Sequence, residues 1–373
     1  MVKRCLKDDL NRAKDIIYDK GLLAGPFDVL KGITPSPING YFSIISKELD
    51  GGQKIDMPLK DRLKAYRNGF TSRNYSLCGI DNSRDPELYL SELDRIAYTS
   101  LINKDESLLL NKIKFHRYMT QNGFDNYMPS LYGTIMEGEY KGIHNLQHLL
   151  HKNKIVIKPA FGKQGMGIFF CEKTGDDLLV NGNKKTFGDL KNILSNLHNY
   201  MVVEFCQQSN FLERIYPHSA NTMRILTMYP ENESPFIADA ILRIGTKKSG
   251  SMDNLSKGGL TASINTKTGE LGEAAEYLSS GETRWHEVHP DTKSKIKGVT
   301  IPKWINFKNK FMSMITELPE FKYVGWDILM TGDDDYVIIE GNSTPMVTCL
   351  QVHKPLLKNP KVRKFYRDNG VPV

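Results

Sequence analysis

An α+β fold is predicted for this chain, and three observations predict it. Strand-like runs arrive as neighbouring pairs joined by turn-rich pieces, as in "NTMRILTMY" and "FIADAILRI" on either side of "PENESP". Helical runs gather near the start, without the regular strand–helix alternation or the G-x-G-x-x-G turn of a doubly wound dinucleotide-binding sheet. A glycine loop, "KPAFGKQGMGI" from Lys158 to Ile168, follows directly on the apolar run Ile155–Ile157. We divide the chain into a partly helical N-terminal region (1–104), a first α+β subdomain with the glycine loop (105–203), a second with a terminal hairpin (204–350) and a basic C-terminal tail (351–373).

The 373 residues suffice for two or three domains, and 40% hydrophobic with 25% charged content is ordinary for a globular protein. No run of 18 apolar residues suggests a membrane span. The first residues lack the apolar core of a secretion signal, so a cytoplasmic protein is expected. The five cysteines (5, 78, 171, 206, 349) form no C-x-x-C pair, which points away from a zinc site or a disulfide framework. A net charge of +7 favours anionic partners but is too diffuse to choose among nucleotides, nucleic acid and acidic sugars. The basic stretch "HKPLLKNPKVRKFYRDNG" reads as a solvated helical end rather than a nucleic-acid patch.

Along the chain, Leu6, Leu10, Ala13 and Ile17 have helical spacing. "GPFDVLKGITPSPINGYF" reads as loop, and "PELYLSELDRIAYTSLI" as helix. "KDESLLLNKIKFHRYMTQNGF" reads as one helix, with Leu108, Phe115 and Met119 on a face and Gly123 at its end. Strands are expected from residue 154 onwards, around the glycine loop. Thr186 and Asp189 cap a short helix with Leu190, Ile193, Leu194 and Leu197 inward. "MVVEF" is a buried strand, and "LTASINTKTGEL" a hairpin.

The last strands, "YVGWDILM" and "YVIIEGN", flank the turn "TGDDD". A turn centred between Asp333 and Asp334 places Asp327 opposite Glu340, and Asn342 opposite Gly325. Paired residues share a face, and alternation adds Asn342 to it. Two carboxylates facing each other destabilise a sheet. A cation removes that penalty, and an all-oxygen set with few protein ligands suits Mg²⁺, which keeps its waters and takes phosphate oxygens. Asp327, Glu340 and Asn342 are therefore the expected metal ligands. A symmetric "PENESP" turn likewise sets Arg224 opposite Ile241, with Arg243 on the same face, and two like charges there suggest an anion between them. Backbone N–H groups at Gly162, Gly165 and Gly167 can approach phosphate closely, and Lys158 adds a point charge.

In this order the motifs resemble those of the ATP-grasp superfamily. They are most similar to the sugar-transfer-associated ATP-grasp group, related to the glutathione synthetase and ribosomal-protein glutamate ligase branch, over about residues 105–345. The resemblance implies two α+β subdomains clamping ATP, with ATP and Mg²⁺ as cofactors. It implies that Lys112 and Lys158 touch the nucleotide phosphates. It further implies that Glu204 faces the adenine amine, that Cys206 lends backbone, and that Asn254 in "DNLSKGG" belongs to a nucleotide loop. Arg224 and Arg243 match phosphate-facing arginines and are the candidate catalytic residues. The implied activity is carboxylate–amine ligation through an acyl phosphate, on a uronic acid or amino acid in surface-polysaccharide chemistry. No nucleic-acid partner is implied. A kinase acting on a hydroxyl or amine, and a non-enzymatic anion binder, are the alternatives. His218 and His353 are read as structural in preference to proton-transfer groups.

Overall fold

Two seven-stranded sheets organise the described residues, and every paired strand in them is antiparallel. A computed structural model describes residues 37–49, 55–80, 84–152, 154–162 and 165–373. The helical spacing of Leu6–Ile17 and the position of Cys5 lie outside the described residues.

The first sheet contains β1 (Leu131–Met136), β2 (Glu139–Gly142), β3 (Ile155–Pro159), β4 (Phe169–Thr174), β5 (Asp177–Val180), β6 (Asn183–Lys185) and β7 (Tyr200–Glu204), in the order β2-β1-β7-β3-β4-β5-β6. The second contains β8 (Met223–Met228), β9 (Phe236–Ile244), β10 (Leu260–Ile264), β11 (Leu271–Tyr277), β12 (Thr283–His286), β13 (Tyr323–Met330) and β14 (Tyr336–Asn342), in the order β12-β11-β10-β9-β8-β13-β14. Among the helices are α1 (Pro37–Leu49), α2 (Leu59–Arg67), α3 (Ser72–Leu77), α4 (Glu92–Tyr98), α5 (Lys112–Gln121), α6 (Leu146–Lys152), α7 (Phe187–Leu194), α8 (Trp304–Thr316) and α9 (Pro360–Asp368).

Residues of α6 and α7 form a core with Ile155, Ile157 and Val202 of the first sheet. The expected capping box of α7 is present, with Thr186 Oγ1 accepting from Asp189 N and the Asp189 carboxylate accepting in return. A rank of Phe307, Phe311 and Trp304 from α8 packs against the second sheet and joins Phe115 and Met119 of α5. The opposite face of that sheet is covered by residues 55–102 together with residues 347–371.

Five expectations change. The single helix expected in "PELYLSELDRIAYTSLI" is broken at Tyr89, whose backbone is extended (φ −113, ψ 136), and Ser91 caps α4 by accepting from Asp94 N. Pro37–Leu49 is helical where loop was expected from Pro37 to Phe42, since proline is tolerated in a first turn. The single helix expected over 104–124 is broken at Asn111, whose extended backbone (φ −105, ψ 108) and side-chain oxygen cap α5 by accepting from Ile113 N and Lys114 N. β1 and β2, which precede residue 154, were not expected, nor were β5, β6 and β12. The C-terminal stretch is not a tail: Val362, Phe365 and Tyr366 of α9 are buried. Burial of each contributes roughly 1.5–3 kcal/mol, which outweighs the pull of its flanking lysines toward water.

Candidate functional site

The candidate site lies where the glycine loop of the first sheet meets the end of β14. β13 and β14 pair Asp327 with Glu340 and Gly325 with Asn342, as the turn argument expects. The turn itself is placed differently: Met330 faces Tyr336 and Ile328 faces Ile338, so the hairpin carries a one-residue bulge at Ile339. That bulge has a use. A bulged residue leaves the ladder, and the Ile339 carbonyl accepts a hydrogen bond from Lys158 Nζ at 3.3 Å.

Lys158 is the penultimate residue of β3 and is 7% exposed. Burial is the main cause that lowers its pKa to about 8; Lys112 adds to the fall, and Glu340 opposes it. Lys112, the first residue of α5, donates to the Gly162 carbonyl at 2.9 Å and lies 3.3 Å from Glu340 Oε2. Its backbone N–H donates to the Ala160 carbonyl at 2.8 Å. The two lysines thus bridge glycine loop and hairpin, and with His116, Met201 and Ile339 they line a cavity of about 10 Å³. In the loop, Gly162, Gly165 and Gly167 all have positive φ (131°, 69°, 73°). A Cβ on Gly167 would meet Tyr200 Oη at 2.7 Å, and one on Gly165 would meet Met252 Cε at 2.0 Å. Both positions favour glycine by conformation; at Gly167 the Tyr200 hydroxyl also crowds a Cβ, whereas the Met252 methyl near Gly165 can swing away.

Asp327, an expected metal ligand, is paired with two arginines in this structure. Arg224 sits directly opposite it on β8 and donates from Nε to Oδ1 at 2.5 Å and from Nη2 to Oδ2 at 3.0 Å. Arg243 Nη2 adds a third contact to Oδ2 at 3.0 Å. The anion expected between the two arginines is therefore the protein's own carboxylate. Burial alone would raise the Asp327 pKa, but the two guanidinium groups hold it at about 2. Burial also opposes the charge on Arg224, and Asp327 outweighs it and raises the arginine pKa. The register between β8 and β9 is as expected, with Arg224 opposite Ile241.

Two contributors were missed in the sequence. Asp253 accepts from Thr222 N at 3.0 Å and from Thr222 Oγ1 at 2.5 Å, and lies 3.5 Å from Arg243 Nε. Thr222 Oγ1 also accepts from Arg243 Nη2 at 2.6 Å. The acid next to Asn254 and the hydroxyl inside "NTMR" were the available signals. Asn254 itself shapes its loop: its side chain accepts from Ser256 N and its carbonyl from Gly259 N, with Gly258 left-handed at φ 92°.

Glu204 ends β7, and its carboxylate accepts from the Ser130 hydroxyl at 2.8 Å. Cys206 follows two residues later, half-buried, with burial the main cause raising its thiol pKa to about 11. His218 lies exposed with its ring edge-on to Tyr216. His353 shares a hydrogen bond with Thr261 Oγ1 at 3.2 Å, and burial lowers its pKa to about 4. Neither histidine has a hydrogen bond or ion pair to the lysine–arginine group among the described contacts.

The fit to Mg²⁺ rests on Glu340 and Asn342. Both offer side-chain oxygens on the face shared with Asp327, and Asn342 Nδ2 donates to Glu340 Oε1 at 3.3 Å. Glu340 keeps 24% of its side chain exposed. Among the described residues no three His, Cys, Asp or Glu side chains gather into a cage. A sparse oxygen set of this kind suits a cation that retains waters and shares phosphate oxygens.

A family model described as sugar-transfer associated ATP-grasp matches residues 94–364. No protein of curated function matches the chain by sequence. In structure the chain is similar to an ADP complex of N5-carboxyaminoimidazole ribonucleotide synthetase, with 10% identity and a TM-score of 0.36 over 65% of this chain and 46% of that one. It is similar to D-alanine–D-alanine ligase from Bacillus anthracis, with 11% identity and a TM-score of 0.36 over 70% and 69%. A Chryseobacterium gregarium RiPP-associated ATP-grasp ligase, solved with ADP and a leader and core peptide, is similar at 13% identity and a TM-score of 0.31 over 82% and 69%. The chain spans less than half the length of the first of these structures.

Proposed function

The chain belongs to the sugar-transfer associated ATP-grasp family, and on that footing we propose that it is an ATP-dependent carboxylate–amine ligase acting on surface-polysaccharide components. ATP-grasp enzymes use ATP and Mg²⁺. The observation that carries the proposal is the bridge of Lys112 and Lys158 between glycine loop and bulged hairpin. It concentrates positive charge where backbone N–H groups can reach phosphate oxygens.

In the reaction a substrate carboxylate oxygen attacks the γ-phosphorus of ATP, and the bond to the β–γ bridging oxygen breaks. ADP leaves and an acyl phosphate forms. An amine then attacks the acyl carbon, inorganic phosphate departs with the former carboxylate oxygen, and the amine nitrogen loses a proton. Mg²⁺, held by Glu340 and Asn342, would supply charge neutralisation on phosphate oxygens. Lys158 and Lys112 orient the phosphate chain through fixed positive charge. Arg224 and Arg243, held in place by Asp327, Asp253 and Thr222, are assigned to the reacting end, where N–H groups not taken by those partners would serve as preorganised donors. Glu204 and the Cys206 backbone are assigned to adenine, and Asn254 to the loop closing over the nucleotide. No protein nucleophile is required.

The test is ADP release against amino acids and uronic acids, singly and in pairs. The proposal expects an amide, with sustained ADP release, only where a carboxylate and an amine are both present. A stable phosphorylated product with no amide would instead identify a kinase.

A further inference from the structure

The helices ahead of the family match expose apolar side chains that no other described residue covers. On α2, Leu59 and Leu63 lie one turn apart and are 69% and 57% exposed. On α1, Tyr41, Ile45 and Leu49 follow the same four-residue spacing, and Leu49 is 80% exposed.

These stripes are held outward by what lies behind them. Ala65 of α2 is fully buried, and Arg62 Nη2 donates to the carbonyls of Ile55 at 3.1 Å and Met57 at 3.4 Å. α1 lies so close to α4 that a Cβ on Gly40 would meet Leu93 Cδ1 at 2.4 Å. Neither helix can roll its leucines inward without losing these contacts.

Charge names the occupant. Lys60, Lys64 and Arg67 are exposed beside the α2 leucines, and the helix's single acid, Asp61, lies 3.4 Å from Lys64. Leucines ringed by cations suit a bilayer carrying anionic phospholipid. Apolar tips enter the acyl boundary while lysine and arginine stems reach back to the headgroups. A second copy of the chain would set the same cations against one another, within a molecule already carrying +7.

We propose that the exposed face of α2 docks the protein reversibly on anionic membrane surfaces, without insertion of a spanning helix. No described helix is long and apolar enough to cross a membrane.

The test uses the full chain in vesicle flotation, with phosphatidylcholine alone and with phosphatidylglycerol added. Expected is co-flotation with the anionic vesicles only, reduced by salt. Leu59→Ser with Leu63→Ser should weaken it about tenfold or more, at an unchanged melting temperature. Lys60→Gln with Lys64→Gln should weaken it while leaving the apolar stripe intact. The proposal is overturned if the wild type does not float with anionic vesicles, or if neither double variant changes its flotation. It is also overturned if sedimentation shows a lipid-independent dimer that the leucine variant dissociates.

Discussion

Arg224 and Asp327 face each other across adjacent strands and are joined by two hydrogen bonds, of 2.5 and 3.0 Å. Arg243 closes on the same carboxylate from the next strand, at 3.0 Å. The consequence is that Asp327 fixes where two positive charges sit, while the partly exposed Glu340 and Asn342 beside it carry the oxygens we propose for a cation.

Asp327→Asn tests that relationship. Removing one partner of a buried ion pair leaves charge uncompensated and costs about 3–5 kcal/mol. The pH dependence has a defined sign. The carboxyl is held at about 2 against an ordinary 3.8, so its stabilisation is fully present above about pH 4 and is lost as pH falls toward about 2. Denaturant melts should show a large deficit for Asp327→Asn near neutrality that shrinks in that acid window. An equal deficit throughout it would contradict the pairing.

Lys158 makes a second prediction. Its folded pKa of about 8 lies below the ordinary 10.5, so it loses charge as pH rises through about 8. ATP affinity should fall over that range, and binding near pH 8 should take up a proton as the phosphates restore the lysine's charge. Calorimetry in buffers of different ionisation enthalpy reads the proton directly. Lys158→Ala should weaken nucleotide binding and abolish the uptake without unfolding the protein. Proton uptake that persists in Lys158→Ala would assign it elsewhere.

Two glycines separate backbone strain from site geometry. Gly167 and Gly175 have φ of 73° and 61°. A Cβ on Gly167 would meet Tyr200 Oη at 2.7 Å, whereas one on Gly175 meets nothing within 4 Å. Both alanine substitutions should cost about 1–2 kcal/mol through the left-handed conformation. Only Gly167→Ala should weaken binding of an ATP analogue, measured by titration. Equal affinities in the two variants would remove the loop from the site.

Much of the site was legible because its signals are local. Strand alternation and short turns placed Asp327, Glu340 and Asn342 on one face of the last hairpin, and Arg224 opposite Ile241 with Arg243 on one face of another; that the two hairpins share a sheet came only from the structure. The register survived a turn centred on the wrong residue because the bulge at Ile339 restored it. What escaped was of two kinds. β1 and β2 are joined at Glu137 and Gly138, both with positive φ, a two-residue hairpin signal in "LYGTIMEGEYKG" that was passed over beside the stronger glycine loop. The clamp on Asp327 and the contacts of Asp253 were hidden because they join residues 103 and 31 positions apart, and no spacing rule reaches that far. The burial of α9 depended likewise on a partner surface that its own basic composition does not announce.

Glu340→Gln tests the central claim most directly, that the cation serving ATP is held at the end of β14. The measurement is titration with a non-hydrolysable ATP analogue, with and without Mg²⁺, alongside a melting curve on the same preparation. Glu340 is partly exposed and pairs with Lys112 at 3.3 Å, so the variant should melt within about 2 °C of the wild type. It should also lose the gain in affinity that Mg²⁺ gives the wild type. A variant that melts well below the wild type yet keeps the full Mg²⁺-dependent gain would contradict the account.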